Sequence, residues 1–146
     1  MMSLSLMASC TVFGCGAYQQ RPISVIESGA WSLSVLKTDY NFSIRHADVI
    51  YQPEDDYQFV LVIAMLTNNT QQTRKFRWSH CQLDHAQGTF LPMSVTATNF
   101  WQTPKASLEL IPPGKTVERR LILSYPEDDL PPHISCKDMR VPLLFD

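Results

Sequence analysis

Glycine is scarce in this chain, with 5 against 10 prolines in 146 residues. So few glycines leave no glycine-rich loop of the kind that cradles phosphates. Prolines spread between short apolar runs exclude long helices, because each removes a backbone donor and clashes with the preceding turn. A basic excess is also lacking. Lys and Arg number 12 against 14 Asp and Glu, for a formal net charge of -2. Nothing is left over to neutralise a phosphate backbone, which argues against nucleic-acid binding. Beyond residue 22 no apolar run approaches the ~18 residues a membrane helix needs. The nucleophile signature GxSxG is absent, as are the paired ligand spacings CxxC and HxxxH. What remains is a chain that is 45% hydrophobic, close to the globular average and unlike a disordered one. Its length suits one domain.

The first 15 residues differ from the rest. Met1 to Gly14 is apolar and rich in small residues, and no Lys or Arg precedes Arg21. Its alternation is poor: Leu4, Leu6, Ala8 and Cys10 share one parity, while Met7, Phe13 and Cys15 fall on the other. That pattern fits an export segment better than an edge strand. A signal peptide normally opens on basic residues, so either translation starts further upstream or the segment is an apolar arm. The run Val12-Phe13-Gly14-Cys15 resembles the lipid-attachment site of bacterial lipoproteins, with an aliphatic residue three before the cysteine and a small residue directly before it. Met7-Ala8-Ser9-Cys10 is the alternative match. Cysteine parity favours Cys15. Cleavage there discards Cys10 and leaves Cys81 and Cys136 as an even pair. Acylation at Cys15 tethers the protein to a membrane through buried methylenes.

The body reads as strands. Trp31 to Thr38 alternates, with Trp31, Leu33 and Val35 on one face and Ser32, Ser34 and Leu36 on the other. Ser43 to Tyr51 is a weaker strand. Tyr57 to Leu66, "YQFVLVIAML", is apolar on both faces and predicts a central strand covered on both sides. Lys75 to Leu83 alternates again, with Phe76, Trp78 and His80 opposing Arg77, Ser79, Cys81 and Leu83. Met93 to Pro104 is less regular. Leu108 to Ile111 is a short strand that ends at Pro112-Pro113-Gly114, a turn signal. Thr116 to Tyr125 is a long strand, and His133 to Cys136 and Met139 to Phe145 close the chain. About seven or eight short strands at this spacing predict an all-β, antiparallel β-sandwich. A closed barrel is the competitor.

From Trp31 onward four features occur in order: "WSLSVLKT", "FVLVIAMLTNNT", "CQLDHAQGTFLP" and "LIPPGKTVERRLILSYP". In this they resemble the immunoglobulin-like domains of unknown function carried by bacterial lipoproteins and secreted proteins. The resemblance implies an immunoglobulin-like sandwich. It implies no chemistry, since those domains share no catalytic motif.

Three groups of side chains are candidates for function. Cys81 and Cys136 sit in separate strands. In an exported protein they are expected to form a disulfide, and closing so long a loop stabilises by roughly 4 kcal/mol. "HCQLDH" offers His80, Cys81, Asp84 and His85, with His46 and His133 elsewhere. On one strand these ligands point to both faces, so no metal site is expected; His80, His85 and His133 are the residues such a site would use. Tyr40, Phe42, Phe100 and Trp101 are the expected partner-binding aromatics. Within "ERR", Arg119 and Arg120 face opposite ways, one toward solvent and one toward a cross-strand acid. The "PEDD" runs at Pro53 and Pro126 read as solvated turns.

The sequence thus predicts a signal segment over 1–15, a tether over 16–29 and a sandwich domain over 30–146. The expected protein is not an enzyme and has no cofactor. It is held at the bacterial cell envelope by a lipid anchor, facing the periplasm or the exterior. There it binds another protein or an envelope component. The alternatives are a periplasmic metal or small-ligand carrier, and a small lipoprotein subunit of a secretion or surface machine.

Overall fold

The computed structural model describes residues 24–97 and 107–145. Cys10, Cys15, Phe100 and Trp101 lie outside the described residues. The strands among them are β1 Ser24–Ser28, β2 Trp31–Tyr40, β3 Ile44–His46, β4 Val49–Tyr51, β5 Tyr57–Asn68, β6 Arg74–Arg77 and β7 Cys81–His85. They continue with β8 Gly88–Phe90, β9 Pro92–Ala97, β10 Leu108–Ile111, β11 Thr116–Pro126, β12 His133–Cys136 and β13 Met139–Pro142. A short 3-10 helix, Trp78–His80, separates β6 from β7.

All strand pairs are antiparallel, and the fold is a β-sandwich. One layer is a five-stranded sheet of order β1-β2-β5-β11-β9. The other is β13-β12-β7-β8, with β10 and β6 paired beside it. The double-sided apolar pattern of β5 is explained by its place between β2 and β11. Val60, Val62, Ala64 and Leu66 point into the main core with Leu33, Val35, Leu121 and Leu123. The facing layer adds Phe76, Trp78, Leu83, Ile134, Met139 and Val141. On the opposite face of β5, Phe59 and Leu61 form a second apolar cluster with Ile122, packed by Phe42, Ile44 and Ile63.

Three expectations are corrected. The tether drawn over 16–29 overlaps β1, whose residues Ser24 to Ser28 pair with Val35 to Trp31. Alternation over five residues is masked by the serines and the charge of Glu27. The single strand expected over Ser43 to Tyr51 is a hairpin, with His46 opposite Val49 across a two-residue turn. The continuous alternation read from Lys75 to Leu83 is interrupted by the 3-10 helix. That turn shifts the phase, so Phe76 and Trp78 share one core with Cys81 and Leu83 rather than opposing them.

Polar bonds fix the ends of the long strands. Asn68 is fully buried at the end of β5. Its Nδ2 donates to the carbonyls of Gln72 (2.7 Å) and Ile111 (2.9 Å). Its Oδ1 accepts from the amide (2.9 Å) and hydroxyl (2.7 Å) of Thr70. Both donors and both acceptor lone pairs are thereby used, which is what burial of an amide demands. The Pro112-Pro113-Gly114 turn closes through a Lys115 amide to Pro112 carbonyl bond of 3.1 Å. Gly114 takes φ 68° there, a conformation that costs glycine nothing. Arg119 makes a bidentate pair with Glu109 on β10 at 2.7 and 2.9 Å, both side chains mostly buried (15% and 12% exposed). The acid that neutralises Arg119 therefore comes from the facing layer, not from a neighbouring strand of its own sheet.

Candidate functional site

The sequence concentrates histidine in "HCQLDH", and the structure sends its members to separate places. His80 lies in the 3-10 helix and is exposed. His85 sits at the end of β7 with its side chain 8% exposed. Its Nδ1 accepts the Gln87 amide (3.0 Å), so its Nε2 carries the proton and donates to Asp128 (3.2 Å). His133 on β12 lies across from Asp84, with Nε2 3.9 Å from the carboxylate, beyond hydrogen-bond reach. Its Nδ1 accepts from Arg140 (3.3 Å). Burial, then the positive charge of Arg140, hold His133 below its ordinary value of 6.5, against an upward pull from Asp84. His85 is thus bonded through both ring nitrogens, while His133 is bonded through Nδ1 alone, its buried Nε2 having no hydrogen-bond partner among the described residues. Among the described residues no group of three His, Cys, Asp or Glu is arranged to hold a metal.

Cys81 and Cys136 form a disulfide. They are directly opposite each other on the paired strands β7 and β12, with Cα atoms 3.9 Å apart and both side chains fully buried. The bridge staples neighbours within one layer. The paired "PEDD" runs meet at one end of the molecule, where the Glu127 amide donates to the Asp56 carbonyl (3.0 Å). Their acids face solvent, as turns do.

Of the described aromatics expected at a partner surface, Tyr40 is half-buried, edge-on to Phe145 with centroids 5.6 Å apart. Phe42 is half-buried on Phe59 at 5.9 Å. Both serve packing in this structure. The large exposed apolar side chains are others, among them Val49, Ile50 and Tyr51 on β4, Leu91 just before β9 and Met93 within it.

Two of these, Tyr51 and Met93, line a cleft of about 470 Å³ on the outer face of the five-stranded sheet. Its floor is made by outward side chains of β5 and β11, namely Phe59, Arg120, Ile122 and Ser124, with Ser94 and Thr96 of β9. One wall is the β3–β4 hairpin, through Ile44, Arg45 and Tyr51, and the segment after it supplies Pro53 and Glu54. The mouth carries Met93. The size is typical of small-ligand sites.

Arg120 is the central polar group of this floor. It pairs in register with Thr96 on one side and Ile63 on the other. Its Nε is buried without a hydrogen-bond partner among the described residues. Thr96 is 8% exposed, and its hydroxyl is likewise buried and unpartnered. No described carboxylate forms an ion pair with Arg120. Asp39 lines a smaller cavity of about 300 Å³ beyond the guanidinium, but its Oδ1 accepts the Tyr40 amide at 2.8 Å. The sequence separates Arg119 from Arg120 by face. It carries no sign of the hairpin wall, the register with Thr96 or the position of Glu109, all of which are long-range.

These features define an antiparallel β-sandwich with a half-open cleft on one outer face. A solved structure with a similar fold is that of an uncharacterised β-sandwich protein from Clostridium difficile. It shares 12% identity with this chain over 83% of its length and 89% of that protein's, with a TM-score of 0.54. No family model and no curated protein matches the sequence.

Proposed function

We propose that this chain is a non-enzymatic, envelope-tethered binding module of immunoglobulin-like type, which holds an envelope component on the outer face of its five-stranded sheet. The observation that carries the binding reading is the cleft under the β3–β4 hairpin. It joins exposed apolar residues to Arg120, whose buried Nε has no hydrogen-bond partner among the described residues, a combination that favours occupation. Support for the tether comes from the sequence, through Val12-Phe13-Gly14-Cys15 and the even pair left downstream. Within this reading the small-ligand carrier is favoured over the metal carrier, because both ring nitrogens of His85 are bonded and no three described ligands are arranged for a metal.

A photo-crosslinking residue at position 51, on the cleft rim, tests the binding surface in cells. An adduct of protein or small molecule is expected from position 51, lost on Ile122→Arg, and not from exposed position 110 on β10. Equal adducts from both positions would overturn the assignment. Intact mass of the membrane-fraction protein tests the tether. An acylated Cys15 is expected, with release to the soluble fraction by Cys15→Ser; an unmodified cysteine in soluble native protein would remove it.

A further inference from the structure

A buried hydrogen-bond donor without a partner is costly, because the hydration it loses is not replaced. Arg120 holds a buried, unpartnered Nε at the centre of the cleft floor, and Thr96 beside it holds a second such polar atom. We propose that the cleft binds an amphiphilic small molecule with a carboxylate head, Arg120 and Thr96 taking the head and the apolar floor taking the tail. This inference rests on the outer face being the binding surface of the module.

The charge selects the head group. The cleft is lined by two guanidiniums, Arg45 at the wall and Arg120 at the floor, and by the carboxylate of Glu54, and both guanidiniums also line the adjoining cavity that holds Asp39. That set accepts a single negative charge at the guanidiniums, whereas a dianion meets Glu54 and Asp39 as repulsive neighbours. A planar carboxylate also matches the fork of a guanidinium, which gives paired charge-assisted bonds. The Thr96 hydroxyl, in register with Arg120 across β9 and β11, supplies a further donor on the same side. The remaining surface suits the tail: Phe59 and Ile122 below, Ile44 and Tyr51 at the wall, Met93 at the mouth. A concave volume of about 470 Å³ favours a small molecule over a flat protein partner.

The full-length protein, kept free of detergent, is titrated calorimetrically with decanoate, decan-1-ol and decyltrimethylammonium below their micellar concentrations. Decanoate is expected to bind at one equivalent, and at least about tenfold more tightly than decan-1-ol, with the cation weakest. Arg120→Met is expected to bring decanoate down to the level of the alcohol while leaving the alcohol unchanged. Arg120→Lys, which keeps the charge and loses the fork, is expected to fall between. Melting curves establish that each variant is folded, and Thr96→Val gives a second, milder loss should Arg120→Met fail to fold. Equal affinity for decanoate and decan-1-ol, or unchanged decanoate affinity in Arg120→Met, would overturn the proposal. Binding of no probe, with the position-51 adduct retained, overturns the ligand class and leaves the surface standing. Loss of both removes the surface as well.

Discussion

Successive side chains on a strand face opposite ways, so the neighbours Arg119 and Arg120 enter different surroundings. Arg119 points between the layers and is met by Glu109; Arg120 points outward onto an apolar floor and is met by no described acid. Burial has a similar consequence for His133. The folded chain holds this imidazole below 6.5, while the unfolded chain titrates near the ordinary value. Below about pH 6.5 the unfolded state therefore binds a proton that the folded state does not. The stability His133 contributes is complete above that pH. It is lost as pH falls through 6.5 toward the lowered folded value. His133→Gln is expected to flatten the fall in melting temperature between about pH 7 and 5.5 relative to wild type. An unchanged slope would mean that other groups govern this window.

At the level of elements, the hairpin of β3 and β4 matters most, because it walls the cleft and covers Phe59 and Ile122. Its turn places Ala47 at φ 51°, where an L side chain crowds its own backbone. Glycine relieves that crowding but loses more chain entropy on folding. Ala47→Gly is expected to gain about 0.5 kcal/mol net in the hairpin. Slower hydrogen exchange at the amides of Ile44 and Tyr51 would report it, and faster exchange would refute it. The same element explains why this wall is not legible in the sequence. Three residues per strand are too few for alternation to declare itself, and Ala-Asp is not a marked turn pair. The segment from Lys75 to Leu83 misleads for another reason. Its alternation is real on each side of the 3-10 helix, but a turn of that kind resets the phase without any glycine or proline to signal it.

For the whole molecule, the disulfide joins segments far apart in sequence that lie side by side in one layer. Its main effect is on the unfolded chain, where it removes the freedom of a loop spanning 55 residues. The double variant Cys81→Ala, Cys136→Ala is expected to lose about 2–4 kcal/mol in urea unfolding while keeping its far-ultraviolet β signature. A loss below about 0.5 kcal/mol would mean that the unfolded state is already restricted by residual structure.

By itself, the sequence determined that the chain is all-β. It also located the long strands β2, β5 and β11 and marked β5 as covered on both faces. Period-two alternation and β-branched content are local properties, written wherever a strand must turn one side to a core. The even cysteine pair and the Pro-Gly turn were legible for the same reason. Only the tertiary structure decided that β1 belongs to the sheet and that Cys81 stands opposite Cys136. It alone brings Glu109 to Arg119 and leaves Arg120 without a described partner under a hairpin. Those outcomes depend on strand order and register, which are set by packing between segments distant along the chain, so no local pattern encodes them.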